Sequence, residues 1–278
     1  MFSAVLSAVI LWLAGCSGEE PPADPAKDAA VTTTPVGPPA LDVATLRAAA
    51  ENIALVPSPA EMQKALEKTG IQTGLSTLVP ERNLKMDIEN KDIVAVRTGV
   101  VLADALLTVK DAPKDKLASR LDQVKAGMSS LGAGADFGVT IDDINARIAN
   151  DSVSRDDLVR ELDEMHGAII PEIKYEAGER CVPLIQAGSW LAGSNLVAKA
   201  IVASDNTTAG TELLRQPQVA DYFLKYVQIE GAGKAPDAVL EQLATTLKTL
   251  KTISEKPSLT IDDVKEVQAQ TDAVLALL

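Results

Sequence analysis

"VPLIQAGSWLAGSNLVAKAIVA", residues 182–203, decides the fold class. Its polar residues are few: Gln186, Ser189, Ser194, Asn195 and Lys199. The spacing predicts a long helix from about Val182 to Ala203, apolar nearly all round and therefore buried on most sides. A second segment, "RTGVVLADALL" at 97–107, shares Gly-x-x-Leu-Ala with it. Gly99 with Ala103, and Gly188 with Ala192, each put two small residues on one helix face. Small faces let two backbones approach closely, so these helices are expected to cross at the centre of a bundle.

The rest of the chain from Leu41 onward reads as helix. Ser58-Pro59-Ala60-Glu61 is a capping box with Pro at the first helical position, and Gly70 is a stop. Ile93, Val96, Val100, Val101 and Leu107 fall at helical spacing. Pro113 opens the next helix, with Leu117, Leu121, Val124, Met128 and Leu131 in one stripe and Gly132 at its end. Thr140 to Asp143 and Ser154 to Asp157 read as caps of two further helices, and Pro171 as the stop of the second. Val219, Tyr222, Phe223, Tyr226 and Val227 mark another helix, and Pro236 starts one more. Thr260 to Asp263 caps the last, which runs to Leu278. No alternating strand and no hairpin turn stands out. The fold class is therefore all-α, a multi-helix bundle over residues 41–278.

Two related helical halves are one reading of the repeats. Gly-x-x-Leu-Ala recurs, and "TIDDI" (140–144) is matched by "TIDDV" (260–264). The order is kept while the offsets differ, which a duplication with an insertion would give. Two unrelated helices with common caps would give it too.

Composition agrees with helices. Hydrophobic residues make up 46% of the 278 and aromatics only 3%, so the core is built from Ala, Leu, Val and Ile. A formal net charge of -13 repels a phosphate backbone, so nucleic acid is not expected as a partner.

The first residues speak to compartment. "MFSAVLSAVILWLAG", residues 1–15, carries no side-chain charge and is too short for a membrane helix, which needs roughly 20 apolar residues. It has the length of a signal-peptide core. Leu13-Ala14-Gly15-Cys16 resembles the lipobox of bacterial lipoproteins. The resemblance implies cleavage before Cys16, a diacylglycerol on its thiol and an acylated new amino group. The segment before the apolar core lacks the Lys or Arg usual in signals. An ordinary secretory signal and a buried N-terminal helix are the alternatives. Residues 16–40 then form a lipidated cysteine and a Pro-rich, disordered tether holding six of the fifteen prolines. Such a chain covers about 3.1 Å per residue, so the tether reaches roughly 70 Å. Ser17 after the cysteine resembles the outer-membrane sorting signal of such lipoproteins. An acylated Cys16 cannot join a disulfide, which leaves Cys181 as a small buried hydrophobe.

Gly99 to Asp104 (Gly-x-x-x-Ala-Asp) and Gly188 to Gly193 (Gly-x-Trp-x-x-Gly) resemble a group of uncharacterised all-helical bacterial envelope proteins, mostly lipoproteins. Many members have Glu before the last Gly, where this chain has Ala192. The resemblance spans roughly 95–203. It implies an envelope-exposed helical domain and no particular activity.

Few residues suggest chemistry. Asp104 sits among apolar neighbours, where a carboxylate is costly unless paired. Arg97 lies two turns earlier on the same face, so that pair would be stretched. Asp104 is expected to bond a neighbouring helix through Asn195 or Trp190, as part of a satisfied buried network. The functional alternative is a ligand pocket lined by Asp104, Trp190 and Asn195, with Arg97 as a further candidate. His166 is the only histidine, and no His/Cys spacing supports zinc or haem, so neither metal nor cofactor is expected. Asp142-Asp143, Asp156-Asp157 and Asp262-Asp263 read as first-turn charges favoured by the helix dipole. "GAGK", residues 231–234, lacks the first glycine and the Ser/Thr of a phosphate loop. Tyr222, Phe223 and Tyr226 are three of the six aromatics beyond residue 15: core by default, a partner patch if exposed.

The expected function is that of a lipid-anchored, periplasm-facing binding or scaffold protein of the bacterial envelope, non-enzymatic and outer-membrane. Its partners would be the bilayer, through acylated Cys16, and an envelope protein. The alternatives are a carboxylate-based enzyme and a binder of a small apolar ligand near Asp104 and Trp190.

Overall fold

The computed structural model describes residues 56–71, 74–132, 135–176, 178–235 and 237–278. The signal-like run 1–15, Cys16, the tether 16–40 and residues 41–55 lie outside the described residues, as do Pro236 and the side chain of His166. The chain divides between Asp42 and Val43, and the description concerns the second unit.

Every regular element among the described residues is a helix. In chain order they are α1 (Pro59–Lys68), α2 (Leu75–Leu78), α3 (Lys91–Thr108), α4 (Lys114–Ser130), α5 (Ala135–Ala149) and α6 (Arg155–Glu176). α7 (Cys181–Ser204), α8 (Thr207–Leu214), α9 (Pro217–Glu230), α10 (Asp237–Ser254) and α11 (Ile261–Leu275) follow. Among the described residues no helix is long and apolar enough to cross a membrane.

The long apolar segment forms α7, within a residue of its expected bounds, and α3 is the other central helix. The two make the most extensive helix contact in the fold. A Cβ on Gly99 would lie 2.0 Å from the Ile185 carbonyl oxygen, and one on Gly188 would lie 2.0 Å from that of Val96. The approach is reciprocal: each glycine faces the residue three positions before the other. The backbones touch here because neither glycine has a side chain. The Ser189 hydroxyl closes the crossing by donating to the Gly99 carbonyl at 2.9 Å.

The crossing helices run in the same direction. At one end, Asp92 in the first turn of α3 forms an ion pair with the Arg180 guanidinium just before α7, whose Nε donates to Oδ1 at 3.0 Å and to Oδ2 at 2.9 Å. Further along, Leu107 lies beside Gly193, with Leu107 Cδ1 3.7 Å from where a Cβ on Gly193 would be. Parallel neighbours cannot be joined by a tight turn, so the chain between them forms α4, α5 and α6. α4 returns antiparallel along α3, where Gly127 admits the Thr98 side chain and Lys91 Nζ donates to the Ser130 carbonyl.

Two apolar cores lie on either side of the central pair. One packs Val94, Val101, Leu102 and Leu106 of α3 and Val182 and Ile185 of α7 against Leu117, Leu121, Ile141, Ile144, Leu158 and Leu162. The other packs Val100, Leu107, Leu191, Leu196 and Ile201 against Met62, Leu66, Phe223, Leu247, Leu250 and Val264. Each fully buried Leu or Ile contributes about 1.5–3 kcal/mol. Asn195 and Lys199 of α7 dock α11: the amide donates to Thr271 Oγ1 at 2.9 Å, and Lys199 pairs with Asp272 at 2.9 Å.

Most expected helix ends are present. Ser58 and Glu61 form the capping box of α1, with Gly70 beyond it at φ +83°, a left-handed conformation suited to glycine. Pro113 is the N-cap of α4, Ser154 accepts from the Asp157 amide at 3.1 Å, and Thr260 with Asp263 closes a capping box on α11.

Three expected boundaries are corrected. α11 ends at Leu275, with Ala276 as its C-cap, three residues short of Leu278. Thr140 starts nothing: α5 begins at Ala135, and the Thr140 hydroxyl donates to the Asp136 carbonyl at 2.9 Å. A threonine inside a helix can satisfy itself this way, so Thr-x-x-Asp does not require a terminus. The two TIDD segments therefore play different parts: one lies inside α5 and the other caps α11. Pro171 does not stop α6, which continues to Glu176. One backbone bond is lost there, and the shared packing of Leu158, Leu162 and Ile173, all buried, holds the helix together across the proline. The short helices α2 and α8 are not foreseen by periodicity.

The crossing makes a sharp prediction. Gly188→Ala should lower unfolding stability by about 3 kcal/mol, because backbone cannot yield as a side chain can. Gly138→Ala, where the new methyl would lie 3.3 Å from the flexible Lys125 Cε, should be neutral or stabilising by about 0.5–1 kcal/mol. Urea unfolding of the two variants is the measurement, and equal midpoints would contradict the contact.

Candidate functional site

α3 is buried on nearly all its faces, so its one internal carboxylate, Asp104, cannot reach open water; the residue is 4% exposed. Its nearest counter-charge comes from outside α3 and α7. Arg82, in the non-helical segment between α2 and α3, places Nε 3.0 Å from Asp104 Oδ2. That N–H is buried and poorly aimed, so the contact is an ion pair without an aligned hydrogen bond. Arg120 of α4 brings a second guanidinium. Its Nη1 donates to Thr108 Oγ1 at 2.5 Å, and that hydroxyl donates to the Asp104 carbonyl at 2.5 Å. Thr108 thus fixes Arg120 one turn along α3 from Asp104.

The charges do not balance burial. Desolvation raises the Asp104 pKa to about 6, opposed by the charges of Arg82, Arg120 and Lys199. The 3.0 Å ion contact and the raised pKa pull in opposite senses. Desolvation wins because it acts on the whole carboxylate, whereas Arg82 approaches one oxygen with a misaligned N–H. Burial also lowers the Arg120 pKa, and the guanidinium stays charged at neutral pH.

These groups face a cavity of about 360 Å³ between residues 80–83, α3 and α4. Arg82, Asp104, Arg120 and Gln123 line it, and Glu81 and Lys116, paired with each other, are exposed residues along the same lining. The Gln123 Oε1 atom is buried without a protein hydrogen-bond donor. The cavity is therefore polar and cationic at its wall, on a chain of net charge -13.

The four residues proposed from the sequence do not converge. Asp104 is at the cavity. Arg97 instead binds backbone, with Nε to the Leu278 carbonyl at 2.9 Å and Nη1 to the Lys85 carbonyl at 2.7 Å. Trp190 donates to Gln216 Oε1 at 2.8 Å and packs on Phe223, ring centroids 5.4 Å apart. Gln216 borders a second cavity of about 340 Å³ with Met62, Val197 and Leu214. Asn195 serves the α11 contact. Neither Trp190 nor Asn195 is the partner of Asp104; each points to a different neighbour because positions five apart lie about 140° apart around a helix of 3.6 residues per turn.

The aromatic group is mostly packed. Phe223 is buried, and Tyr222 and Tyr226 are half-buried, Tyr226 donating to the Arg180 carbonyl at 3.4 Å. Cys181 is buried at the start of α7, and burial pushes its thiol pKa up. Among the described residues no group of three or more His, Cys, Asp or Glu could hold a metal ion.

Sequence patterns missed Arg82, Arg120 and Gln123. Arg82 lies in a segment without periodicity, and Arg120 and Gln123 read as ordinary polar positions of an amphipathic helix. The only hint was the unpaired carboxylate of Asp104, which demanded a cation from somewhere.

Comparison with protein families, curated proteins and solved structures finds no match to this chain.

A folded pKa raised from 3.8 to about 6 means the folded state binds the Asp104 proton more tightly than the unfolded chain does. The ionised group therefore costs stability above pH 6, and that cost is relieved as pH falls from about 7 toward 4. The gain should approach about 3 kcal/mol. Asp104→Asn should remove this component, so the wild-type-minus-variant difference in urea stability should change over that range. A flat difference would contradict the burial of the charged form.

Proposed function

We propose that the chain is a lipid-anchored, periplasm-facing binding protein of the bacterial cell envelope, non-enzymatic, held at the outer membrane by acylated Cys16. The observation that carries the binding part is the cavity beside Asp104. A helical bundle needs no such feature for stability, since a charged pair under apolar walls is no better for folding than apolar side chains of similar size. Two guanidiniums, a carboxylate and an unsatisfied carboxamide oxygen meeting at an open space are what a polar ligand requires.

The anchor rests on the lipobox-like Leu13-Ala14-Gly15-Cys16 and the Pro-rich stretch after it. Two or more acyl chains, at about 0.8 kcal/mol per buried CH₂, would hold the protein on the bilayer. A scaffold role, with an envelope protein as partner, is less favoured because Tyr222, Phe223 and Tyr226 are largely spent on internal packing.

A carboxylate-based enzyme is the second reading. Glu81 and Asp104 both border the cavity, but each is engaged by a cation, Lys116 and Arg82 respectively. General acid–base work needs a carboxyl group directed at substrate.

Cys16→Ser in the full chain should shift the protein from the membrane to the soluble fraction on cell fractionation, with the same helical circular dichroism spectrum. Retention of the variant in membranes would refute the anchor.

A further inference from the structure

We propose that the cavity beside Asp104 binds a small monocarboxylate that carries several hydroxyl groups, of the sugar-acid type. The proposal rests on the binding reading above and specifies its ligand.

Charge sets the first requirement. Arg82 and Arg120 bring two positive charges to the cavity and Asp104 one negative charge. Glu81 and Lys116 cancel each other, and Lys199, the other cation acting on Asp104, is answered by Asp272 at 2.9 Å. Among the residues that line the cavity one positive charge is left over; Asp111, whose charge also reaches Arg120, lies outside that lining and accepts from the Ser76 amide at 3.0 Å. A monoanion neutralises the left-over charge, whereas a zwitterion leaves it and a dianion overshoots beside Asp104.

Hydrogen bonding sets the second. A guanidinium has five N–H donors. Among the described residues Arg120 uses Nη1 alone, on Thr108, and Arg82 Nε is buried without an aligned acceptor. These donors suit the two oxygens of a ligand carboxylate, which a guanidinium grips in a fork. The same cavity also presents acceptors. Gln123 Oε1 is buried and has no protein donor, and Asp104 is contacted by Arg82 Nε at Oδ2. Acceptors call for O–H donors on the ligand. Inorganic phosphate, chiefly a dianion at pH 7.5, overshoots the charge, and a fatty acid, without a hydroxyl, leaves Gln123 unsatisfied.

Volume agrees. About 360 Å³ falls in the range of sites for small ligands and exceeds what a single ion fills. The four residues come from a loop and two helices, so each can vary without removing the central crossing.

Isothermal titration of the full chain in detergent at pH 7.5 tests this with four probes: gluconate, hexanoate, sorbitol and inorganic phosphate. Gluconate should bind about tenfold or more tightly than the other three. Gln123→Leu should weaken gluconate about tenfold while leaving the thermal midpoint unchanged or higher, because it removes a buried oxygen that the fold leaves unpaired. Arg120→Gln should abolish binding. Should hexanoate, sorbitol or phosphate bind as well as gluconate, the ligand class falls and the binding reading stands. Wild-type gluconate affinity in Gln123→Leu would also overturn the class. Silence from all four probes would overturn both.

Discussion

The Gly99–Gly188 contact is the constraint on which the rest of the fold depends. A helix axis comes this close to another only where neither carries a Cβ, and here each glycine meets the other helix's main chain. Because α3 and α7 run in parallel at that contact, the segment between them must travel the length of the bundle and return. α4, α5 and α6 do so, and the apolar core they form with the central pair is distinct from the one built with α1 and α8 to α11. The architecture of two cores sharing a central pair follows from one close approach.

The same burial produces the candidate site. Asp104 follows Ala103, on a helix whose neighbours are nearly all inaccessible to water. A carboxylate there raises its own pKa and draws cations from wherever the chain can supply them. Arg82 arrives from an irregular segment and Arg120 from α4; among the described residues Arg120 spends one nitrogen, on Thr108, and Arg82 Nε meets no aligned acceptor. The resulting cavity pairs unmet donors with an unmet acceptor in Gln123. Electrostatics local to the cavity are opposite in sign to the chain as a whole, so a small anion is favoured there against the long-range field, which salt screens.

Much of the helical order was legible in advance. Capping at Ser58, Ser154 and Thr260, and the apolar length of 182–203, depend on residues a few positions apart, and local chemistry decides them. Thr140 and Pro171 misled for the same reason: local rules allow a terminus at each, and long-range packing overrode them. The site was half legible. Asp104 stood out as a misplaced charge, but its partners lie 22 residues before it at Arg82 and 16 after it at Arg120, positions without a sequence signal of their own. Trp190 and Asn195 shared a helix with the expected site, and side-chain direction sent them elsewhere.

By itself the sequence determined that this is a helical protein, where most helices begin, and which two helices must lie at the centre. Those are consequences of short-range periodicity, capping and the absence of side chains at Gly99 and Gly188. Only the tertiary structure decided that those helices run in parallel, that Arg82 and Arg120 answer Asp104, and that Trp190 and Asn195 do not. Such pairings join residues whose separation along the chain carries no information about their distance in space. They arise when the apolar faces are buried and the polar groups left inside must find whatever neighbours the packing brings to them.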